Sequence, residues 1–410
     1  VKVSLLTLGC KVNQAESSNI ATELLAHGCS VVDLDANPDL CIINTCSVTS
    51  KSDYQSRQLI RRAAKTGSRV IVTGCYSELN EETVRSMDGV DMVVTNNKKG
   101  FISNMLYNNI SCKDLSIIQH ARSRYFMKVQ DGCNNACSYC IIPSARGKSR
   151  SKGISEVIEE INYIEQSCNE VVLTGIHLGT YGYDMKPNVS LSYLLNTILQ
   201  KTNIKRIRLS SIEINEIDDE LLELIQEDRV CKHLHIPLQS GSDKVLQMMN
   251  RNYNISQFRD ILFQICKKLP EISLGSDIIV GFPGEGSIEF ESTRRFLEDS
   301  PISYLHIFPF SPRKGTKAFE MEPRVEDFIK KERSQILRAL GKGKKNDYMY
   351  KQIGKILDLL IEETDREGGS VGTTGNYLRA KAFLDAPSLK DVVRVRIAEV
   401  KDDILIGYPL

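Results

Sequence analysis

The sequence predicts an α/β protein in three parts: a parallel-sheet (flavodoxin-like) domain, a partial (β/α)6 barrel, and a small antiparallel β-barrel. Three observations predict it. Apolar strand runs alternate with amphipathic helices over residues 1–95. Six strand–helix units repeat over residues 125–310. Beyond residue 351, short alternating runs are separated by Gly-, Asp- and Pro-containing turns, the pattern of a small barrel. A chain of 410 residues also exceeds one typical domain. The expected division is 1–110, 120–350 and 351–410.

In the first part, Val3–Leu8, Ser30–Leu34, Cys41–Thr45, Arg69–Thr73 and Asp91–Thr95 read as buried strands. Asn13–His27 and Ser50–Thr66 read as helices, closed by Gly28 and Gly67. Helices between strands imply a parallel sheet covered on both faces. A polar connector around Asn96–Arg124 follows. The barrel strands are expected at Tyr125–Gln130, Glu170–Leu173, Arg206–Ser210, His233–Leu238, Leu274–Val280 and Tyr304–Phe310. A long polar helix, Val325–Tyr350, leads to the tail strands Gly354–Glu362, Tyr377–Phe383, Val392–Val400 and Ile404–Gly407. Residues 330–355 carry nine Lys/Arg against Glu332 and Asp347. That is the composition of a solvated helix face or, beside a nucleic-acid module, of a phosphate contact.

No stretch approaches 18 consecutive apolar residues, so no membrane span is expected. No signal peptide opens the sequence. Twelve cysteines without a secretion signal argue against a disulfide scaffold and for reduced, metal-binding thiols in a cytosol. The net charge of +1 selects no partner.

Cys133, Cys137 and Cys140 form a CxxxCxxC in Gly-Cys-Asn-Asn-Ala-Cys-Ser-Tyr-Cys. Three thiolates on one loop can ligate three irons of a [4Fe–4S] cube and leave the fourth iron open. Zinc is the alternative, and it would want a fourth nearby Cys or His; none follows locally. The loop follows the first barrel strand, where barrel chemistry is placed. Cys10, Cys46 and Cys75 look unrelated by spacing, yet each lies just past the carboxyl end of a predicted parallel strand. Ligands of open α/β sheets bind along that edge, so these three could converge on a second cluster. Taken singly, each would read as a small buried hydrophobe. Cys29, Cys41, Cys112, Cys168, Cys231 and Cys266 lack the placement and read as structural. His177, His233 and His235 read as core or lining residues.

These residues together resemble the radical-SAM methylthiotransferase family over nearly the whole chain. Gly9-Cys10-Lys-Val-Asn-Gln, Asn44-Thr45-Cys46-Ser-Val-Thr and Thr73-Gly74-Cys75-Tyr match its N-terminal domain, whose three cysteines hold an auxiliary [4Fe–4S] cluster. The CxxxCxxC barrel matches the radical-SAM core, and the tail looks like a TRAM domain, which binds RNA in many members. The first motif, Ser56-Arg57-Gln58 and Leu173-Thr174-Gly175-Ile176-His177 resemble the branch that modifies threonylcarbamoyladenosine beside the tRNA anticodon. Other branches act on isopentenyladenosine in tRNA or on an aspartate of a ribosomal protein. A non-catalytic iron–sulfur RNA-binding protein is the alternative from a different class.

The resemblance implies two [4Fe–4S] clusters, S-adenosylmethionine (SAM), and tRNA bound at its anticodon stem-loop; it leaves the electron donor unspecified. The implied product carries a methylthio group on carbon 2 of the adenine, with both clusters facing one cavity. Candidate SAM contacts are Tyr139, Thr174, Gly175, Ser211, Glu213, Gln239, Ser240, Asp277 and Gly281. Arg146 and Arg150 would pair with a carboxylate, either of SAM or of the threonyl group. Arg379, Lys381, Arg394 and Arg396, at i, i+2 spacing on predicted strands, would give the tail an RNA-facing basic face. Arg57, Arg61 and Arg62 could extend it.

Overall fold

The computed structural model describes residues 1–107, 123–366, 368–384 and 388–410. Cys112 and the expected junction between residues 110 and 120 lie outside the described residues. Five parallel strands open the chain: β1 (Lys2–Thr7), β2 (Ser30–Val31), β3 (Leu40–Thr45), β4 (Arg69–Gly74) and β5 (Met92–Val93), in the order β2-β1-β3-β4-β5. The central strands are apolar on both sides because helices cover both faces. Cys41, Ile43, Val70 and Val72 pack on Ile60 and Ala63 of the helix Ser50–Ala64. Ile42 and Ile71 face the other way, toward Ile20 and Leu24 of the helix Lys11–Ala26.

The polar connector expected from Asn96 onward is partly ordered structure. Lys99–Phe101 forms a turn and Ile102–Tyr107 a short helix with Ile102 buried. Its polar composition misleads because Lys99 is itself buried, paired to Glu16 at 2.7 Å.

The second part begins with β6 (Arg124–Lys128), the short pair β7 (Gln130–Asp131) and β8 (Arg150–Ser151), then β9 (Glu170–Thr174) and β10 (Arg206–Leu209). It continues through β11 (His233–His235), β12 (Ser273–Val280) and β13 (Tyr304–Pro309). Parallel ladders join β6-β9-β10 and β11-β12-β13, and bridges Ile207↔Val230 and Ser211↔His235 connect the two halves. The result is a curved six-stranded sheet with no ladder between β13 and β6, a barrel open on one side. Strand alternation sorts its faces. Met127, Val171, Leu173, Ile207, Leu209, Leu234, Leu274, Ile278 and Ile307 point outward into one core with the surrounding helices. Their neighbours Lys128, Glu170, Arg206, Arg208, His233, His235, Asp277, Tyr304 and His306 point the other way, into a polar lumen.

The strand expected over His233–Leu238 stops at His235. Pro237 has no N–H for a ladder, and Gln239 takes a left-handed φ of 68°.

The helix Asp327–Tyr350 packs along β13 and uses most of the basic stripe internally. Arg333 pairs with Glu285, Arg338 and Lys344 bond backbone carbonyls, Lys342 pairs with Asp403, and Lys355 with Glu271. Five strands then close a barrel, β14 (Ile356–Thr364), β15 (Ser370–Thr374), β16 (Arg379–Ala382), β17 (Val392–Lys401) and β18 (Ile404–Pro409), in the order β14-β15-β16-β18-β17. The strand β15 lies between the first two expected tail strands, where the sequence pattern marks none. Gly372 is required there: a Cβ would sit 1.8 Å from the Leu360 carbonyl oxygen, beside the register shift between Ile361 and Glu363.

The turn after β15 plugs one end of the lumen. Arg206 donates to the Thr373 carbonyl at 3.2 Å, and Arg208 to those of Thr374 and Gly375 at 3.0 and 3.1 Å. Glu170 pairs with both guanidiniums, at 2.7 and 2.9 Å. Glu170 and Arg208 are fully buried. Burial would raise the Glu170 carboxyl, but Arg208 and Arg206 outweigh it and hold it at about 2. A carboxyl depressed from 4.5 adds stability above that value and loses it as pH falls toward about 2. Glu170→Gln should therefore cost about 3 kcal/mol at pH 7. The gap from wild type should begin to narrow below about pH 4.5 and close near about pH 2, checked by unfolding curves at stepped pH.

Candidate active site

The N-terminal trio gathers at one sheet edge. Cys10 caps the helix Lys11–Ala26 after β1, Cys46 follows β3, and Cys75 opens the short helix Cys75–Leu79 after β4. Parallel strands put all three carboxyl ends on the same side. Gly9, at φ 102°, lets the first loop touch the second: a Cβ there would lie 2.9 Å from Cys46 Sγ. Asn13 fastens the two loops, donating to the Leu8 and Thr45 carbonyls at 2.7 and 3.0 Å. Cys46 and Cys75 are buried and Cys10 is exposed. Burial pushes the Cys46 and Cys75 thiols up, and the neighbouring cysteines add to it.

The second trio lies on the loop between β7 and the helix Ile142–Arg146. Cys133, Cys137 and Cys140 line a cleft of about 640 Å³ with Gly147, Lys148, Gly315 and Thr316. Two partners of these sulfurs had no sequence signal strong enough to assign them. Arg251 donates to Cys137 Sγ at 3.3 Å while pairing with Glu213. His177, read as a lining residue, has Nδ1 3.6 Å from Cys133 Sγ and Nε2 2.5 Å from Glu216. Burial works against charge on His177, but its bonds to Cys133 and Glu216 win and push it up to about 10. Burial, reinforced by Cys137 and Cys133, pushes the Cys140 thiol up to about 12. Thiols this crowded ionise readily only against a bound cation, which is how metal binding releases protons.

Spacing separates zinc from a larger group. Tetrahedral zinc with bonds near 2.3 Å would hold its sulfurs roughly 3.8 Å apart. Among the described residues, the one group of metal-type ligands lying within 4.8 Å of each other is His235, Asp277 and His306; neither cysteine trio is that tight. Soft sulfur donors at wider spacing fit an iron–sulfur cube.

Two clamps bring the trios together. On one side, Arg146 donates to Asn13 and Glu16 of the first part and to Asp131 of the barrel, at 2.5, 2.9 and 2.9 Å, and its charge favours the nearby Cys75 thiolate. Lys128 bridges the same two carboxylates at 2.9 and 3.0 Å. Burial opposes ionisation of Glu16, yet Lys99, Arg146 and Lys128 hold its carboxyl well below the usual range. On the other side, Arg313 reaches Ser47 and Asp53, each at 2.7 Å, and Ser311 meets Ser50 at 2.9 Å. The same loop joins the cluster loop through Ala318 N–H to the Ser138 carbonyl, 2.8 Å.

Several of the expected contact residues have partners within the protein. Arg146 pairs with the carboxylates of Glu16 and Asp131. Arg150 is exposed and bonds the Lys148 and Arg146 carbonyls. Ser240 is fully buried with its hydroxyl against Thr293, 3.3 Å away, because the chain there packs on the helix Ser287–Asp299. The Gly281 N–H is taken by Glu285 at 2.8 Å, beneath Lys330. In the tail, Arg379 pairs with Glu362 and Glu363, and Lys381 with Asp365. Arg394 and Arg396 are exposed and carry no ion pair among the described residues. Of the possible extension, Arg57 bonds Tyr76 and Arg62 pairs with Asp35.

Other positions fit a ligand at the barrel mouth. Thr174 Oγ1 is buried without a partner, and so is Ser210 Oγ; the neighbouring Ser211 is exposed. A Cβ on Gly175 would meet Gln130 Oε1 at 2.8 Å. Tyr139 stands edge-on to Phe282 at 6.5 Å, joining the cluster loop to the loop after β12. Gln239 ends the β11 crossing, and Asp277 bonds His235 and His306 at 2.9 and 3.3 Å.

A partial six-stranded barrel with a three-cysteine loop beyond its first strand defines the radical SAM class. Residues 127–297 match the radical SAM superfamily, and residues 2–95 match the uncharacterized protein family UPF0004. The chain is 37% identical to threonylcarbamoyladenosine tRNA methylthiotransferase MtaB of Bacillus subtilis (strain 168), covering 99% of this chain and 94% of that protein. It is 37% identical to the MtaB of Aquifex aeolicus (strain VF5), over 93% and 96%. The radical S-adenosylmethionine methyltransferase TsrM of Kitasatospora setae shares the fold, with a TM-score of 0.58 at 13% identity, over 78% of this chain and 77% of that one. The chain belongs to the threonylcarbamoyladenosine tRNA methylthiotransferase family.

Because Thr174 Oγ1 bonds nothing among the described residues, Thr174→Val should alter fold stability by less than about 1 kcal/mol yet weaken SAM binding about tenfold. Thermal melting and equilibrium SAM binding check the two halves; a purely structural threonine would show the reverse.

Proposed function

We propose that this chain adds a methylthio group to carbon 2 of N6-threonylcarbamoyladenosine in tRNA, at the anticodon stem-loop in the cytosol. The observation that carries this reading is the convergence of two cysteine trios at one junction. Arg146 lies beside Cys75 of one trio, favouring its thiolate, and bonds Asp131, two residues before Cys133 of the other. Near-full-length relatives bearing that activity in their names support it. Cys10, Cys46 and Cys75 would hold one [4Fe–4S] cluster and Cys133, Cys137 and Cys140 the other, with SAM beside the second. These groups, when bound, supply the hydrogen-abstracting radical and the sulfur that an unactivated aromatic C–H requires.

The chain's own residues bind, orient and shield. Arg251 and His177 lie against Cys137 and Cys133, and hydrogen bonds to ligating sulfur favour a cluster's electron-rich state and so tune its potential. Arg251 also fixes the Glu213 carboxylate beside the cleft. Thr174 and Ser210 offer unpaired hydroxyls at the mouth. The clamps of Arg146 and Arg313 hold the first part over the barrel, and the Thr373–Gly375 turn seals the far end, so water is kept from the chemistry. Arg394 and Arg396 remain available to RNA phosphates. No helix among the described residues is long and apolar enough to cross a membrane.

A strain lacking this chain should lose the methylthio form of threonylcarbamoyladenosine from its tRNA nucleosides, read by mass spectrometry. Loss of the isopentenyl analogue instead, or no change, contradicts the substrate assignment. Anaerobically reconstituted protein should hold about eight irons, and Cys75→Ala and Cys137→Ala about four each. Only the Cys75 variant should still cleave SAM when reduced.

A further inference from the structure

One lumen charge has no acid within ion-pair distance among the described residues. Lys11 follows Cys10 directly and opens the helix Lys11–Ala26. Its stem leaves the first part, and its ammonium enters the barrel, where its charged neighbours are Arg208, Arg124, Glu170 and Asp277. No acid lies within ion-pair distance of it among the described residues; its one close polar contact is the face of Tyr377, 5.4 Å from the ring centroid. Both nearby acids are already committed. Glu170 serves Arg206 and Arg208, and Asp277 serves His235 and His306. Arg124 pairs with Glu362. Apart from Lys11, every charged group named here has an ion-pair or hydrogen-bond partner, so the ammonium is the one among them without a contacting counter-ion. A partly buried charge of this kind is costly unless paired. His235, Asp277 and His306 are close enough to grip a metal ion, but the ammonium and two guanidiniums facing them disfavour a second cation there.

The geometry points to Lys11 as the receptor for the free carboxylate of the substrate's threonyl group, the residue that selects this nucleoside over one with an uncharged side arm. The inference rests on the function proposed above. Threonine joined through its amine to a carbamoyl keeps its carboxylate, whereas an isopentenyl arm has no charge. In adenine, carbon 2 and carbon 6 flank the same ring nitrogen, so the arm on N6 and the reacting carbon share one edge of the base. Cys10 and Lys11 are adjacent, with Cα atoms about 3.8 Å apart. A base that offers carbon 2 to the Cys10 trio thus extends its arm toward Lys11. Tyr304 Oη, which meets His233 and His235 at 2.7 and 3.2 Å, and the half-exposed His306 line the same lumen and can serve the arm's hydroxyl and carbonyl. Arg146, the guanidinium otherwise placed for this task, is consumed by the domain clamp.

The test compares wild type, Lys11→Met and Lys11→Arg, all reconstituted, on anticodon stem-loops carrying the threonylcarbamoyl group as free acid or as methyl ester. Iron content and melting temperature are measured alongside. Lys11→Met should weaken binding and lower kcat/KM for the acid about 10- to 100-fold, the size of a lost charge-assisted bond. On the ester the two proteins should agree within about twofold, because the charge is gone from both sides, while Lys11→Arg should recover most of the loss on the acid. Equal losses on acid and ester, no loss on the acid, or loss of iron in both variants would overturn the assignment. Wild-type protein inert on the free acid would instead sink the parent reading, and this one with it.

Discussion

The structure depends on a buried ionic knot between the first sheet and the barrel. Arg146, Lys99 and Lys128 meet Glu16 and Asp131, three cations against two carboxylates, which leaves one positive charge over. Desolvating five charges is expensive, and geometry must recover the cost. The surplus charge lies next to Cys75, whose thiolate form Arg146 and Lys99 both favour against the opposing effect of burial. The knot thus does two jobs at once. It fixes the angle between two separately folded sheets, and it supplies positive potential where a thiolate-ligated group is negative. Breaking it by removing one member would strand a buried charge, so the sulfur edges cannot drift apart cheaply.

The barrel solves a related problem. Its outer face is a continuous apolar core, while its lumen carries Glu170, Arg206, Arg208, His233, His235 and Asp277. Such a lumen is stable only because nearly every charge has a fixed partner and because the tail barrel donates carbonyls to the two arginines. The tail is therefore more than an appendage: its turn at Thr373–Gly375 completes the floor, and Tyr377 forms part of the lumen wall beside His233 at 4.4 Å. Substrate space is what remains between that floor, the strand ends and the first domain. Lys11 points into it with no acid within ion-pair distance among the described residues.

Much of the fold was legible because periodicity records which face each side chain buries. The five strands of the first sheet, the six of the barrel and four of the five in the tail appear close to their expected positions. The strand β15 escaped because its glycine and hydroxyl residues serve a tight barrel corner rather than an apolar face. The edge shared by Cys10, Cys46 and Cys75 was also legible, since parallel topology alone sends all three strand ends the same way. Arg251 was not: it approaches Cys137 from 114 positions further along the chain, with no spacing rule to announce it. Nor did the sequence announce that polar groups of Ser240 and Gly281 meet Thr293 and Glu285 of neighbouring elements.

By itself, then, the sequence determined the inventory and its local placement: three folding units, two trios of thiols at strand ends, and the chemistry those thiols permit. Tertiary structure alone decided the allegiance of each long charged side chain. Arginine and lysine reach several ångströms from a backbone that pattern analysis can locate, and their partners are chosen by whatever the packed elements bring within that reach. For that reason Arg146 became a clamp, Arg379 and Lys381 were neutralised within the tail, and Lys11 was left facing the lumen with its charge unanswered.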